Sequence, residues 1–454
     1  MIEQLLAQNE GRTVEFKESA RSLPNIIKTV IAFANTAGGI IVIGVQDRTK
    51  KIVGIENILD EEERLVNAIS ESTAPFLIPS VEIQTYRKKE LIIIDVPHLA
   101  GPFYLKSAGL EKGTYVRSGS TSRIADDQML EKLRLFSKKI YFDEMPISDQ
   151  KLEDLDWEFV KKYFAQNNKK ITETKAQDLG LVVAHGKNLY LSRGGIILFG
   201  KNRARVFPDA IIRCVRFVGT TKASVLDHVE ITGYPILALD EALNFVRRNT
   251  SMGAEFGSIT RVDVPEYPPI ALREAVINAI VHADYSQGGS SIAIAIFNDR
   301  LEITSPGGLP IGMTLERALE GSSYARNRVI ARTFRELGII EQWGSGLQRI
   351  IDACEKRGLQ QPSFQDFYAE FKVTLYSTKV HATQLDESQN EFLKHLKTVA
   401  QIGTSQAASF WSIAPRNARV RLKHLVDNGF IRKVGTSAKD PQGKYVLIDG
   451  VVSE

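Results

Sequence analysis

The chain has 454 residues, of which 43% are hydrophobic and 25% charged, so it can bury more than one sizeable core, and its length predicts roughly two to four domains. The net charge of +4 is too small for a global field to favour nucleic acid, so any such preference must come from local clusters. Two cysteines, Cys214 and Cys354, are too few for a disulfide framework or a structural zinc site and are typical of a reducing compartment.

The first part of the chain predicts a compact α+β domain over residues 1–138. The pattern reads as a strand TVEFK, a helix PNIIKTVIAFANTAGG, strands IIVIGV, VEIQTY and LIIIDVP, a hairpin-like segment YLKSAGLEKGTYVR and a helix from about 125. The following residues, 139–192, read as a charged helical connector.

A second domain is predicted over residues 193–380. Its elements are the strands GGIILFGK and AIIRCVRFVG, the helices ILALDEALNFVRR and LREAVINAIVHADYS, the strand SIAIAIF, the strand LEIT running into SPGGLP, the variable stretch GSSYARNRVIART, GSG before a helix, and the strand YAEFKVTLY. After the polar linker HATQLDES, residues 388–450 read as helix, short helix, helix and hairpin.

One helix of the second domain carries an unusual polar line. Within LREAVINAIVHADYS the residues Glu274, Asn278 and His282 lie at i, i+4 and i+8, while the positions between them are apolar. A polar line is usually the solvated side of a helix, but solvated faces normally carry Lys, Glu, Arg and Gln. The composition therefore leaves two interpretations open, a wet face or a site.

The order of these elements resembles the Bergerat fold of GHKL ATPases, an α/β sandwich, in the divergent form found in bacterial regulators. That resemblance implies ATP and magnesium as cofactors, with Asn278 holding the metal between the phosphates and Glu274 orienting or deprotonating a water. Any one of the glycines taken alone is better explained as a chain turn, but in this order they favour a nucleotide site. The implied nucleotide contacts are Gly307, Gly308, Arg326, Asn327, Gly344, Ser345 and Gly346.

The match departs from the family pattern at the first glycine box. Aligning GLP places Thr304 where the family has the aspartate that contacts adenine, and Pro306 at the first glycine, so adenine specificity is not implied. Ser323 lies with Arg326 in the region where the family has a lid, and Arg326 is equally well explained as a surface residue. His282 is explained equally well as a supporting residue of the site and as a capped helix end.

The N-terminal domain contains, in order, E-F-K, A-F-A-N-T-x-G-G, I-G-V-x-D and Y-V-R-x-G-S, and these elements resemble the Schlafen AlbA-type nucleic-acid-binding domain. The segment RSGSTSR would then offer a phosphate clamp of guanidinium and hydroxyl donors on a glycine turn. The candidate nucleic-acid contacts of this domain are Lys17, Arg117, Ser118, Ser120, Thr121 and Arg123.

Nuclease members of the Schlafen family use three carboxylates, and Glu10, Glu15 and Asp47 fall on the corresponding motif positions. Such a centre would hold magnesium or manganese and activate water for phosphodiester cleavage. The alternative is that these are ordinary charges on the outer face of an edge strand.

The basic excess of the chain is concentrated at its C-terminal end. Residues 388–450 contain ten Lys and Arg against four Asp and Glu. The segment resembles a winged helix-turn-helix, in which Pro415 begins the third helix. The residues that would point from it towards a major groove are Arg416, Asn417, Arg419 and Lys423. The alternative is a protein-docking winged helix with a solvated basic face.

Together these features predict an α+β multidomain, cytoplasmic, bacterial-type transcriptional regulator in which a nucleotide site controls binding of DNA or RNA, with a homo-oligomeric state and no membrane partner. The start of the chain has no signal-peptide pattern, and no apolar stretch is long enough to span a bilayer. The main alternative is a metal-dependent nuclease in phage defence, with the nucleotide site as its switch. A nucleotide-sensing scaffold is disfavoured by the basic C-terminal segment.

Overall fold

The computed structural model describes residues 2–256, 261–340, 345–367, 369–377, 387–427, 430–434 and 444–447. The chain divides into two compact units, the first formed by 1–353 with 362–375 and the second by 354–361 with 376–454. The first unit contains residues 1–138 and most of 193–380, the two ranges predicted as domains, whereas 354–361 and 376–380 belong to the second unit.

The N-terminal part of the first unit is built on a four-stranded sheet in the order β1-β2-β5-β4, where β1 and β2 are parallel and the other neighbours antiparallel. Its elements are α1 (Ile2–Leu6), β1 (Val14–Lys17), α2 (Leu23–Asn35), β2 (Gly39–Ile43), α3 (Ile58–Ser72), β3 (Thr73–Ala74), β4 (Ser80–Tyr86), β5 (Lys89–Val96), β6 (Tyr104–Leu105), α4 (Gly109–Gly113), β7 (Tyr115–Ser118), β8 (Thr121–Ile124) and α5 (Asp127–Ser137). Helix α2 packs on this sheet because almost every side chain from Ile26 to Asn35 is buried.

Two stretches of this part differ from the sequence prediction. Helix α3 was not predicted, because the acidic residues of ILDEEERLVNAISES obscure the apolar pattern of the helix. The side chains that the helix buries are Ile58, Leu65 and Ile69. The segment predicted as a hairpin contains the short helix α4, and the real hairpin is formed by β7 and β8 around Gly119, whose φ is +57°.

The connector is mixed rather than helical, which corrects the prediction for 139–192. It contains β9 (Pro146–Lys151), α6 (Trp157–Gln166), α7 (Glu173–Asp178), β10 (Val182–His185) and β11 (Asn188–Ser192). Strands β10 and β11 form a hairpin that turns at Gly186 with φ of +61°, and β9 pairs with β11.

The remainder of the first unit is organised by a six-stranded sheet in the order β13-β12-β16-β17-β19-β18. The elements here are α8 (Arg193–Phe199), α9 (Arg203–Val206), β12 (Ile212–Phe217), β13 (Val225–Ile231), α10 (Pro235–Arg248), β14 (Met252–Phe256), β15 (Arg261–Pro265), α11 (Pro269–His282), β16 (Ile292–Ile296), β17 (Arg300–Pro306), α12 (Leu315–Leu319), α13 (Arg328–Glu336), α14 (Gly346–Glu355), β18 (Ser363–Asp366) and β19 (Glu370–Tyr376). Helices α10 and α11 contact each other, and α11 also contacts β17.

The predicted strand GGIILFGK is wrong, because these residues form helix α8. Every residue of α8 after Arg193 is buried, from Gly194 to Phe199. A short run that is apolar on all sides has no periodicity that separates a buried strand from a buried helix.

The second unit has its own core. Its elements are α15 (Glu387–Val399), β20 (Ile402–Gly403), α16 (Thr404–Phe410), α17 (Pro415–Asp427), β21 (Ile431–Val434) and β22 (Lys444–Leu447), with the strands in the order β20-β22-β21. The core is formed by side chains from all three helices and the sheet, including Phe392, Trp411, Leu422, Ile431 and Tyr445. In the described part of the chain no helix has the length and apolar character needed to cross a membrane.

The connector is fixed to helix α13 by one buried carboxylate. Asp143 is 0% exposed, and its Oδ2 accepts hydrogen bonds from the backbone N–H groups of Val329 at 2.6 Å and Ile330 at 3.2 Å. It thereby caps the first turn of a helix whose own N-cap residue, Asn327, makes no side-chain cap. Burial raises the pKa of Asp143 to about 7, although these backbone donors oppose the shift.

This shift predicts a stability that falls as pH rises. A carboxyl group whose pKa is 3.8 when unfolded and about 7 when folded contributes stability that is present below the lower value and lost as pH rises through the higher one. In thermal unfolding between pH 5 and pH 8, the wild type should therefore lose stability relative to Asp143→Asn. Asp149→Asn, a change at an exposed site of the same connector, should follow the wild type. Parallel pH profiles for wild type and Asp143→Asn would contradict the assignment.

Candidate functional site

Helix α11 places its polar line on a partly open cavity. The helix is buried on nearly every side, while Glu274, Asn278 and His282 are half-buried. All three side chains line a cavity of about 180 Å³, here called the α11 cavity. The polar line therefore lines this cavity together with residues of other elements.

The N-terminus of α14 closes one side of this cavity at very short range. A Cβ atom on Gly346 would lie 2.6 Å from Glu274 Oε1 and 3.0 Å from Asn278 Nδ2, so a larger residue here would require these side chains to shift. Ser345 also lines the cavity, whereas Gly344 lies outside the described residues. The first turn of α14 thus presents backbone N–H groups close to a carboxylate and an amide.

Strand β17 forms a second wall of the cavity and continues into Gly307 and Gly308. Alternate residues of the strand are buried, and Ile303 and Ser305 are the two that line the cavity. Ser305 is therefore the polar side chain that β17 offers to a ligand, and the sequence alignment, which singled out Thr304, missed it. The period-two burial along this strand is the signal that could have identified it.

The segment from Leu309 to Asn327, here called the lid segment, covers the third side. Pro310, Met313, Ala318 and residues 322–325 line the cavity. The predicted contacts Arg326 and Asn327 are engaged with the protein itself. Asn327 Nδ2 donates to the carbonyls of Val281 at 2.9 Å and Ala283 at 2.7 Å, which ties the end of the lid segment to the end of α11.

Arg326 contacts both the turn at Gly307 and Gly308, here called the glycine turn, and the carboxylate of Asp284. Its guanidinium donates to the carbonyl of Gly308 and lies 3.1 Å from Asp284 Oδ2. Although burial opposes ionisation of Asp284, Arg326 and Lys132 lower its pKa to about 2. Burial, with a smaller effect of Arg326, lowers the pKa of His282 to about 4, so the imidazole is neutral near neutral pH.

The three N-terminal carboxylates approach one another. Burial raises the pKa of Glu10, and the charges of Glu15 and Asp47 act in the same direction. Glu15, however, is buried and forms ion pairs with both Arg117 and Lys17. Among the described residues no group of three or more His, Cys, Asp or Glu has a metal-binding arrangement.

Arg117 is the predicted phosphate contact that the structure places differently. Its side chain is 2% exposed, ion-paired with Glu15, and donates to the Gly11 carbonyl at 3.0 Å and to Ser122 Oγ at 3.3 Å. A guanidinium held in this way fixes the β7–β8 hairpin onto β1 and does not form a surface clamp. The other predicted residues of the hairpin lie outside the core, with Ser118 half-buried and Ser120, Thr121 and Arg123 exposed.

The most buried polar residue of the AFANT motif has a structural role that sequence reasoning missed. Asn35 is 1% exposed, and its Nδ2 donates to the carbonyls of Phe103 at 2.8 Å and Tyr115 at 2.9 Å. Its Oδ1 accepts from the Phe103 N–H at 2.8 Å. A fully paired amide in this position joins the end of α2 to two otherwise separate segments.

Helix α17 in the second unit buries three apolar side chains, while Val420 and several basic side chains are exposed. Ala418, Leu422 and Leu425 are buried in the core of that unit. The predicted nucleic-acid contacts are all exposed: Arg416, Asn417, Arg419 and Lys423.

The placement of Arg117 yields a stability prediction. Removing one partner of a buried ion pair leaves the other charge uncompensated, so Arg117→Ala should destabilise the first unit by about 3–5 kcal/mol. Arg123→Ala, on the exposed strand of the same hairpin, should unfold like the wild type in urea. An Arg117→Ala protein as stable as wild type would show that the buried pair is not needed for the fold.

Comparison with known proteins gives two family matches. Residues 10–126 match the model "Schlafen, AlbA_2", and residues 289–375 match the HATPase_c_4 model, described as "Putative ATP-dependent DNA helicase recG C-terminal". The uncharacterized ATP-binding protein UU034 of Ureaplasma parvum serovar 3 is 25% identical over 208 residues, which cover 43% of this chain and 57% of that relative. The chain thus matches little more than half the length of this relative.

Two solved structures are also similar to this chain. The DIP2311 protein of Corynebacterium diphtheriae is 21% identical, with 99% of this chain and 96% of that chain covered and a TM-score of 0.44. The N-terminal domain of a putative ATP-dependent DNA helicase RecG-related protein from Nitrosomonas europaea is 24% identical, with 27% of this chain and 94% of that chain covered and a TM-score of 0.22. From the family matches, the chain contains a Schlafen AlbA_2 domain and a GHKL-like HATPase_c_4 domain.

Proposed function

We propose that this protein is an ATP-binding regulator that engages nucleic acid, and that ATP in the α11 cavity controls this engagement through the lid segment. The observation that carries the proposal is that one segment forms both a wall of the cavity and a contact surface for the Schlafen AlbA_2 domain. Nucleotide binding would then change the position of that segment, and the same change would weaken or strengthen nucleic-acid binding.

The donor set of the cavity suits a magnesium nucleotide. Asn278 would hold magnesium, which needs few protein ligands when phosphate oxygens supply the rest and which neutralises phosphate charge when bound. Glu274, one turn earlier, would orient a water and accept its proton. Gly346 brings the start of α14 close to Glu274 and Asn278, so the N–H groups of its first turn would lie near the phosphates of a nucleotide held by these residues. The name of the Ureaplasma relative, an ATP-binding protein, supports the same assignment.

The size of the cavity argues that the lid segment moves. A volume of about 180 Å³ is below the roughly 300–1,000 Å³ of typical ligand pockets, so we expect a wall to move when a nucleotide binds. Two walls are a buried helix and a central strand of the sheet, which resist displacement. The lid segment, with short helix α12 and exposed residues such as Ser323, is the wall that can yield.

The lid segment is bonded directly to the N-terminal domain. The Gly312 N–H donates to the carbonyl of Thr36 at 2.7 Å, and Ile311 packs against Val116 and Leu133. Thr36 Oγ1 in turn accepts from the Arg117 N–H at 2.9 Å. One residue, Thr36, therefore joins the lid segment to the strand that enters the exposed β7–β8 hairpin.

Two further contacts join the same domains. Lys132 of α5 lies 2.7 Å from Asp284, which also pairs with Arg326 behind the glycine turn. Asp366 forms an ion pair with Arg12 and accepts a 3.1 Å hydrogen bond from the Leu309 N–H, the first residue of the lid segment. Both ends of the lid segment therefore lie next to charged side chains that form ion pairs with the N-terminal domain.

The second unit supports the nucleic-acid part of the proposal. Its order of helix, strand, helix, helix and two strands is that of a winged helix, and the exposed basic side chains of α17 lie opposite the buried ones. We propose that α17 enters a DNA major groove and that the protein acts in transcription.

Substitution of the two polar residues should separate binding from turnover. Asn278→Ala should abolish binding of ATP with magnesium, because it removes the metal ligand, whereas Glu274→Ala should bind ATP and lose hydrolysis. Calorimetry and phosphate release measure the two effects. Asn244→Ala, at an exposed site of the neighbouring helix α10, is the matched control and should behave as wild type. Equal ATP binding by wild type and Asn278→Ala would refute the assignment of the cavity.

A glycine pair tests the coupling. A Cβ on Gly312 would lie 2.5 Å from the His98 ring of the N-terminal domain, so Gly312→Ala should disturb that contact while leaving the cavity-lining side chains in place. ATP with magnesium should change the nucleic-acid affinity of the wild type but not of Gly312→Ala, measured by fluorescence anisotropy with duplex DNA and RNA.

The control for this experiment is Gly321→Ala. Gly321 has the similar φ of +93°, compared with +86° for Gly312, but a Cβ there would meet nothing within 4 Å. It introduces comparable backbone strain in the same segment without the interdomain clash. If Gly321→Ala and Gly312→Ala lose the ATP response equally, the effect arises from the lid segment itself and the route through Thr36 is wrong.

A further inference from the structure

A second, larger cavity lies between the connector and the six-stranded sheet. Its volume is about 630 Å³, within the roughly 300–1,000 Å³ of small-molecule sites. The lining that matters for recognition is Phe142, Ser148, Arg193, Phe207, Gln287 and Ser290. The proposed nucleotide site uses none of these side chains.

Arg193 brings an uncompensated positive charge to this cavity. Its guanidinium is half-buried, lies 4.4 Å from the ring centre of Phe142 and contacts Met145 Sδ at 3.5 Å. Among the described residues it has no carboxylate within ion-pair distance. Burial lowers the pKa of Arg193, which reflects the cost of a charge removed from water without an anion beside it.

The two carboxylates that line the cavity are already occupied. Asp284 is paired with Lys132 at 2.7 Å and Arg326 at 3.1 Å, and Asp209 Oδ2 accepts the Gly289 N–H at 2.8 Å. Because Asp284 has two cationic partners, the two carboxylates do not give this cavity a net negative charge. The charge of Arg193 is available to an incoming anion.

The walls add an aromatic surface and hydrogen-bond donors. Phe142 and Phe207 pack edge to face with ring centres 6.2 Å apart. The rim is formed by the loop SQGGSS, where a Cβ on Gly288 or Gly289 would meet nothing within 4 Å, so a ligand can approach the backbone closely. An aromatic wall beside one guanidinium matches a ligand with a ring and a phosphate.

We propose that this cavity is a binding site for a nucleoside monophosphate, with the phosphate on the Arg193 guanidinium and the base against the Phe142–Phe207 wall. Neighbouring residues of the chain line the two cavities. Ala283, Asp284 and Pro306 line the second cavity, and the adjacent residues His282 and Gly307 line the α11 cavity. A ligand here would act as an effector of the first cavity. The binding site itself does not depend on what the first cavity holds.

The test is calorimetric titration of the full chain with AMP, with adenosine and inorganic phosphate as part-ligands. Arg193→Gln should weaken AMP binding roughly tenfold to a hundredfold, the effect of losing charge-assisted hydrogen bonds to phosphate. Arg205→Gln, an exposed arginine of the neighbouring helix α9, should bind like the wild type. Adenosine and phosphate should each bind more weakly than AMP.

A second variant keeps the test valid if Arg193→Gln folds poorly. Ser290 is exposed at the rim, so Ser290→Trp should fold normally and should block AMP by filling the mouth. Asn278→Ala should leave AMP binding unchanged, which separates this site from the α11 cavity. The proposal is overturned if wild type does not bind AMP, or if Arg193→Gln and Ser290→Trp both bind it as wild type does.

Discussion

The lid segment cannot be placed independently of the N-terminal domain, and this constraint organises the first unit. Gly312 donates its N–H to the Thr36 carbonyl, and a Cβ on Gly312 would lie 2.5 Å from the His98 ring. The same segment supplies Met313 and Ala318 to the α11 cavity. Since interiors of this density deform between discrete arrangements rather than continuously, a ligand that displaces the lid must alter the domain contact as well.

Buried charges fix the geometry on both sides of that contact. The ion pair of Arg117 with Glu15 holds the β7–β8 hairpin on the N-terminal sheet. Asp284 forms ion pairs with Lys132 and Arg326, which come from two different domains. Buried pairs of this kind add little net stability compared with apolar packing, but they are costly to break singly. Their value here is positional, because each pair joins segments that are far apart in the sequence.

Patterns with one clear period could be predicted, and those that depend on tertiary contacts could not. The spacing of Glu274 and Asn278 predicted a polar line, and the structure places both on one cavity. Arg117 in a Gly/Ser-rich hairpin looked exposed, and only the fold shows that its strand turns that side chain inward onto Glu15. The apolar run of α8 carried no period at all, and Ser305 was missed because the glycine alignment drew attention to its neighbour Thr304.

The family matches confirm the predicted Schlafen AlbA_2 and GHKL-like domains, but no sequence pattern indicated that the two would be joined through the lid segment. That junction depends on contacts between residues separated by more than 200 positions, such as Gly312 with Thr36. Long-range backbone contacts of this kind leave no local pattern. They follow only from how the connector folds, with Asp143 capping α13 immediately after the lid segment.

Hydrogen–deuterium exchange of the full chain with and without ATP and magnesium would show whether the lid segment and the N-terminal domain respond together. We expect nucleotide to change exchange in the lid segment and, in the same experiment, in residues 33–36 and 115–124 of the N-terminal domain, whereas Asn278→Ala should show neither change. Protection limited to α11, β17 and the start of α14, with the N-terminal domain unaffected, would contradict this expectation.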